Sequence, residues 1–188
     1  MYRLFFKRFI DVTASLGILL LLSWLLIIVA LIIKLQDGGS VFFIQKRVGK
    51  DKQNFNILKF RSMPVNTANV SSDQAHLIKI TPFGKFIRRT NMDELPQLFN
   101  ILKGDMSLIG PRPSLPNQTE LIELRSKNSS YICRPGLTGL AQVNSYDYMP
   151  VSEKAVFDGQ YAAHITFTND VKIVLKTLSY LTKKPPTY

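Results

Sequence analysis

The chain has 188 residues, with 24 Lys and Arg against 13 Asp and Glu, a formal charge of +11 and a sequence pI near 9.8. That length suits one domain with a real core, and the charge points to anionic partners: nucleic acid, phospholipid headgroups or phosphorylated small molecules. A single cysteine, Cys133, excludes an internal disulfide, and no metal-ligand pattern flanks it, so it reads as a small apolar residue.

Arg3, Lys7, Arg8 and Asp11 precede Val12–Ile33, twenty-two residues without a charge; Lys34 and Asp37 follow. At about 1.5 Å per residue this stretch is long enough to reach across a hydrocarbon core of about 30 Å. It is apolar on every face, unlike a helix buried in a soluble core. No small-residue cleavage site follows it, which argues against a signal peptide. Basic residues flank both ends, and Lys and Arg favour the cytoplasmic side of a membrane segment. A helix that dips in, bends and returns keeps both clusters on that side, whereas a straight span does not. Thr13, Ser15, Gly17 and Ser23 are candidates for the bend, because Ser and Thr bond back to the preceding turn. Trp24 is unusual in mid-membrane, since Trp prefers the interface, and packing against protein would explain it.

Gly38-Gly39 ends the helix. "SVFFIQKRVG" and "NFNILKFRSM" read as two strands around a Gly49–Lys52 turn. Pro64 to Asp73 is polar and reads as a mobile loop. "TPFGKFIRRT" is expected to form a short amphipathic helix, with Phe83, Phe86 and Ile87 on one side and Lys85, Arg88 and Arg89 on the others. Such a helix suits an anionic membrane surface or the protein's own core. Near the C-terminus, Val171, Val174, Leu175, Leu178 and Leu181 alternate with Lys172, Lys176, Lys183 and Lys184, and the same two readings compete. The aromatic residues do not interleave with Lys and Arg as a stacking platform would, and no binding motif is present, which disfavours nucleic acid.

"NMDELPQLFN" sets Asp93 and Glu94 among Lys79, Lys85, Arg88, Arg89, Lys103 and Arg112. Asn91 with Glu94 three residues on approaches a capping box, and Pro96 fits a first turn. Acids in a first turn are favoured by the helix dipole and need no function. The surroundings suggest more. "KGDMSLIGPRPS" fixes Arg112 between two prolines on a stiff path, and arginines clamp phosphate in a bidentate way. Acids beside arginines in a membrane-bound chain suggest phosphoryl chemistry with a divalent cation, or direct attack of a carboxylate on phosphorus.

"DELPQLFNILKGDMSLIGPRPSL" followed by "RPGLTGLAQVN" resembles the small monotopic phosphoglycosyl transferases, bacterial sugar transferases that begin capsule, O-antigen and glycoprotein glycan assembly. "FFKRFID" is similar to that family's Lys-Arg-x-x-Asp entrance to its membrane helix. The strand segment ending at Lys59 and the tail with Asp158, Tyr161 and Asp170 are similar as well. The resemblance covers nearly the whole chain.

It implies an α/β fold: a re-entrant membrane helix over residues 1–37, then a cytoplasmic catalytic domain over 38–188, small and mixed α/β with amphipathic helices on the membrane surface. It also implies transfer of a sugar-1-phosphate from a UDP-sugar to polyprenyl (undecaprenyl) phosphate, with release of UMP. Asp93 would be the nucleophile of a covalent phosphosugar intermediate. Glu94, with Asp93, would hold Mg²⁺; Arg88 and Arg112 would grip phosphates; Lys59 would support the site; and Asp158 matches a family acid. The implied location is the cytoplasmic face of a bacterial inner membrane rich in anionic phospholipid. A homodimer is compatible with the sequence but not required by it. Hexose-1-phosphate transferases of the family are usually longer, which favours an N-acetylated amino-sugar donor. The alternative is a non-catalytic membrane scaffold for glycan assembly. Two departures stand out. The family's Ser-Pro in the membrane helix is Ser23-Trp24 here, and its Gly-Arg after "GLAQVN" is replaced by Ser145-Tyr146-Asp147.

Overall fold

The computed structural model describes residues 1–64, 80–145 and 149–181. Most of the expected 64–73 loop, Lys79, Tyr146, Asp147, Lys183 and Lys184 lie outside the described residues. A π-helical turn, Tyr2–Phe6, leads into α1 (Lys7–Leu21) and then α2 (Ser23–Asp37). The two helices meet at 64°. Leu22 leaves helical geometry at φ −98°, ψ 9°, and Ser23 Oγ donates to the Leu20 carbonyl across the break at 2.9 Å. The break therefore falls at Leu22, directly before Ser23 and Trp24, which open α2, and it forms without proline. Thr13, Ser15 and Gly17 do not contribute to it: they lie inside unbroken α1, where the Thr13 hydroxyl bonds the Phe9 carbonyl within an intact turn. Trp24 does not pack on protein either; it is 61% exposed. Gly38 closes α2 at φ 69°, a left-handed conformation that glycine adopts without steric cost.

No single helix among the described residues is long and apolar enough to cross a membrane; the bent pair together meets that test of length and composition. One row of α1 is turned inward at a spacing of four: Lys7, Asp11, Ser15 and Leu19. The other faces stay apolar and exposed, including Phe9, Leu16, Leu20, Ile27, Leu31 and Leu35 of the pair. Lys7 donates to Asp170 at 2.7 Å, and the Tyr2 and Tyr161 hydroxyls meet the same carboxylate at 2.6 and 2.9 Å. Arg8 forks onto the Ile101 and Leu102 carbonyls at 2.6 and 3.0 Å, groups that a helix end leaves unpaired. Asp11 accepts from the Leu108 amide at 3.0 Å. At the far end of the pair, Asp37 is ion-paired with Arg61. Both feet of the bent pair are thus bonded to the same globular body.

That body begins with a hairpin, β1 (Phe42–Val48) antiparallel to β2 (Asn54–Phe60), in the expected place and with the expected turn. Next come α3 (Pro82–Arg89), α4 (Gln97–Lys103), β3 (Ser107–Ile109), α5 (Thr119–Lys127), β4 (Gly136–Thr138), α6 (Leu140–Asn144), α7 (Val151–Ala163) and α8 (Phe167–Leu181). Strands β3 and β4 pair in parallel, which the sequence reading did not anticipate. Each has three residues, too few for an alternating pattern. Their approach also needs glycine: a Cβ on Gly110 would lie 2.3 Å from the Arg134 carbonyl oxygen.

One core cluster joins Leu19 of α1 to Ile57, Leu98, Ile101 and Met106. A second joins Val29 and Ile33 of α2 to Phe60 and Ile87. Cys133 packs with Ile109, Tyr161, Ala162 and Ile173 in the third, as a small apolar residue should. Helix α3 buries Ile87 and leaves Phe86 exposed. Helix α8 turns Asp170 and Ile173 inward, while Val171, Val174, Leu175 and Leu178 face outward, uncovered by the described residues.

Asp170 gathers Lys7, Tyr2 and Tyr161 in a buried setting, and removing one partner strands the other charge. Asp170→Asn is expected to cost about 3–5 kcal/mol in denaturant unfolding. A change under about 1 kcal/mol would mean that the first helix is held by its apolar contacts alone.

Candidate active site

Asn91 takes left-handed backbone angles (φ 54°, ψ 16°), which Asn tolerates better than most residues. A 3₁₀ turn, Met92–Glu94, follows, and α4 starts only after Pro96. The expected capping box does not form. Asn91 makes no side-chain cap bond, and the Glu94 carboxylate is engaged elsewhere. Lys59 Nζ, from the end of β2, reaches Glu94 Oε1 at 2.6 Å, and Arg112 reaches the same oxygen at 3.0 Å. Two charge-assisted bonds outweigh one bond to a backbone amide.

The electrostatics of the two acids diverge. Burial alone would raise Glu94, but Arg112 and Lys59 more than offset it and hold the carboxyl down to about 2. Burial pushes Asp93 up to about 6, with Lys59, Arg88 and Arg112 pulling against it and Glu94 adding to it. Burial also lowers Lys59, opposed by Glu94. Asp93 is therefore largely ionised at pH 7, and its surroundings solvate it poorly.

Arg88 sits at the end of α3. Thr81 caps that helix by accepting from the Gly84 amide at 2.9 Å. Gly84 lets the helix lie against the strand end, since a Cβ there would fall 2.0 Å from the Ser62 carbonyl oxygen. In that position Ser62 Oγ accepts from Arg88 Nε at 2.8 Å. Lys59, Arg88, Asp93, Glu94 and Arg112 thus form one cluster.

Asp158 does not join the cluster. It is fully buried on α7 and accepts from Arg125 Nε and NH2 at 2.8 and 2.6 Å, so its carboxylate is occupied by that guanidinium rather than offered to a phosphate. Arg125 NH1 then donates to the Arg112 carbonyl at 2.9 Å. Asp158 touches the site one step removed, through the backbone that carries Arg112. Ser145 is exposed at the edge of the described residues.

Three residues of this neighbourhood were not anticipated: Ser62, Arg125 and Arg47. Arg47 donates to the Pro113 carbonyl at 3.2 Å and to Gln45 Oε1 at 2.7 Å. Strand alternation carried the signal for Arg47. Phe43 pairs with Lys59 and Arg47 with Phe55, so Arg47 and Lys59 share one face of the hairpin.

Among the described residues no group of three or more His, Cys, Asp or Glu could hold a metal ion. Mg²⁺ held mainly by substrate phosphates needs only one or two carboxylates. Lys59 and Arg112 both bond to Glu94 Oε1, and the carboxylates of Glu94 and Asp93 are the donors that would hold such an ion.

The family described as "Bacterial sugar transferase" matches residues 2–184. The UDP-N-acetylgalactosamine-undecaprenyl-phosphate N-acetylgalactosaminephosphotransferase of Aeromonas hydrophila is 40% identical over 93% of this chain and 43% of its own length. The UDP-galactose-lipid carrier transferase of Erwinia amylovora is 34% identical over 98% of this chain and 42% of its own. The exopolysaccharide production protein ExoY of Rhizobium meliloti is 35% identical over 92% of this chain and 83% of its own. The chain spans less than half the length of the first two relatives.

The Asp93 carboxyl carbon, followed by NMR in selectively labelled protein, is expected to titrate near 6. Lys59→Met should move the midpoint upward, because Lys59 favours the ionised form. A midpoint near 4, unchanged by Lys59→Met, would contradict the burial of this carboxyl.

Proposed function

The chain belongs to the bacterial sugar transferase family, and from that premise we propose that it transfers a sugar-1-phosphate from a UDP-sugar to polyprenyl phosphate and releases UMP. The observation that carries this reading is a buried carboxylate, Asp93, beside a second acid that two cations keep ionised. In the first step an Asp93 oxygen attacks the sugar-bearing phosphorus. The new P–O bond forms as the bond to the bridging oxygen breaks, and UMP departs with that electron pair. In the second step a polyprenyl phosphate oxygen attacks the same phosphorus and frees the carboxylate. Poor solvation by burial leaves Asp93 more reactive than a carboxylate in water. Arg88 and Arg112 offset the repulsion between the carboxylate and an anionic donor, and Lys59 maintains the charge and orientation of Glu94. Glu94 and Asp93 would hold Mg²⁺, which supplies charge neutralisation at the diphosphate.

The membrane arrangement is part of the same proposal. The 64° break, together with both feet bonded to one globular body, supports a re-entrant pair that enters and leaves by the cytoplasmic face of the inner membrane. The outward rows of α8 and Phe86 of α3 supply apolar contacts at an anionic lipid surface, with Lys172, Lys176 and Lys85 available to headgroups. This arrangement holds Asp93 near the depth of a polyprenyl phosphate headgroup. We put an N-acetylated amino sugar first as donor. The Aeromonas relative is named for N-acetylgalactosamine and the Erwinia one for galactose, so a donor panel has to hold both kinds.

Purified protein with Mg²⁺, undecaprenyl phosphate and a panel of UDP-sugars is expected to release UMP with at least one donor. Asp93→Asn should lower that rate by at least about 10³-fold, because it removes the nucleophile. Wild-type turnover in the mutant, or no UMP from any donor, counts against the reaction. For the membrane arrangement, a cysteine introduced at Met1 should resist an impermeant thiol reagent added outside intact cells; labelling there would establish a straight span.

A further inference from the structure

Arg112 rides on a segment whose carbonyls are held by two other arginines: Arg125 takes the Arg112 carbonyl and Arg47 takes the Pro113 carbonyl. The two supports differ in one respect. Arg125 is neutralised by Asp158. Arg47 has no carboxylate within ion-pair distance among the described residues, and its Nε is buried without a hydrogen-bond partner. Its partners are a carbonyl and the Gln45 amide oxygen, both neutral, which use two of the five N–H groups of a guanidinium. A surplus cation held beside a second one is poorly stabilised. Burial and the neighbouring Arg112 lower Arg47 to about 10, with Glu94 giving partial relief. Among the described residues Lys59, Arg47, Arg88 and Arg112 gather around two acids, Glu94 and Asp93.

We propose that Arg47 is an anion-binding residue of the site, taking a phosphate oxygen of the nucleotide donor alongside Arg112. The assignment rests on the UDP-sugar reading for its ligand and on the pairing of Arg47 for its chemistry. Strand β1 fixes the guanidinium on the face it shares with Lys59, and the bond to Pro113 keeps it next to Arg112, so two forks meet one diphosphate. A carboxylate partner, like the one Arg125 has, would cancel this attraction.

The test uses the full chain in lipid nanodiscs with UDP and inorganic pyrophosphate as probes. Arg47→Gln keeps a polar side chain but removes the charge. It is expected to weaken binding of both probes by about tenfold or more, the scale of one charge-assisted phosphate contact. The donor KM should rise by a similar factor and kcat should change less. Arg47→Lys, which keeps the charge but not the fork, should recover part of the affinity. Unchanged probe affinity in Arg47→Gln would overturn the proposal. So would equal losses in Gln and Lys that track a fall in melting temperature, since Arg47 would then only support the loop. If Arg47→Gln does not fold, arginine modification of the wild type by phenylglyoxal decides instead. UDP should protect Arg47, and equal modification with and without UDP refutes the assignment. A wild type that binds UDP through Arg47 yet releases no UMP from any donor would remove the transferase reading and leave the anion site standing.

Discussion

Glu94 stays charged in a half-dry site because two cations from distant segments meet on one of its oxygens. Lys59 comes from the end of a hairpin and Arg112 from a proline-bracketed loop, while Glu94 itself sits in the turn before α4. The three segments are far apart in sequence, and this carboxylate ties them together. It also sets the state of its neighbour. With the cations drawn to Glu94, Asp93 is left with burial as its strongest influence and rises instead of falling. Two adjacent acids with opposite shifts suit two roles, one fixed and ionised, the other reactive.

The same logic, a charge buried only with a partner, attaches the apolar helix pair to the domain. A wholly apolar helix has no directional preference for a neighbour. Lys7, Arg8 and Asp11 give it one, through a carboxylate, two helix-end carbonyls and a strand amide. These contacts set the depth and rotation of α1, and Asp37 with Arg61 does the same at the other foot. The bend then follows from a short lapse in helical geometry at Leu22, with a serine hydroxyl bonded across it. Two bonded feet and a 64° break tie the pair to the globular body.

Support for Arg112 is built in layers. Prolines on both sides limit its backbone, and Asp158, through Arg125, holds its carbonyl from below. Gly110 allows the strand before it to lie against β4. The site is thus carried on short pieces of chain held by ionic contacts and hydrogen bonds more than by long secondary structure. This explains how the cluster can be held in place although the sheets among the described residues have two strands each.

What the sequence by itself determined was whatever depends on neighbours along the chain. The uncharged run, its basic flanks, the hairpin with its turn, and the amphipathic α3 were all legible from composition and spacing. So was the cluster of Asp93, Glu94, Lys59, Arg88 and Arg112, through the family motifs. The tertiary structure decided whatever depends on partners far away. Whether Asn91 caps a helix depended on what else could reach Glu94, and Lys59 lies thirty-five residues before it. Whether α8's apolar residues face the core depended on Asp170, which turns inward to meet Lys7 and Tyr161 and sends Val174, Leu175 and Leu178 outward. Asp158 and Arg47 have similar short-range signals, each a charge in an ordinary element. Only the fold gives Asp158 a cation of its own and, among the described residues, leaves Arg47 without a carboxylate in ion-pair contact, because ion pairing is settled by distance in space and not by position in the chain.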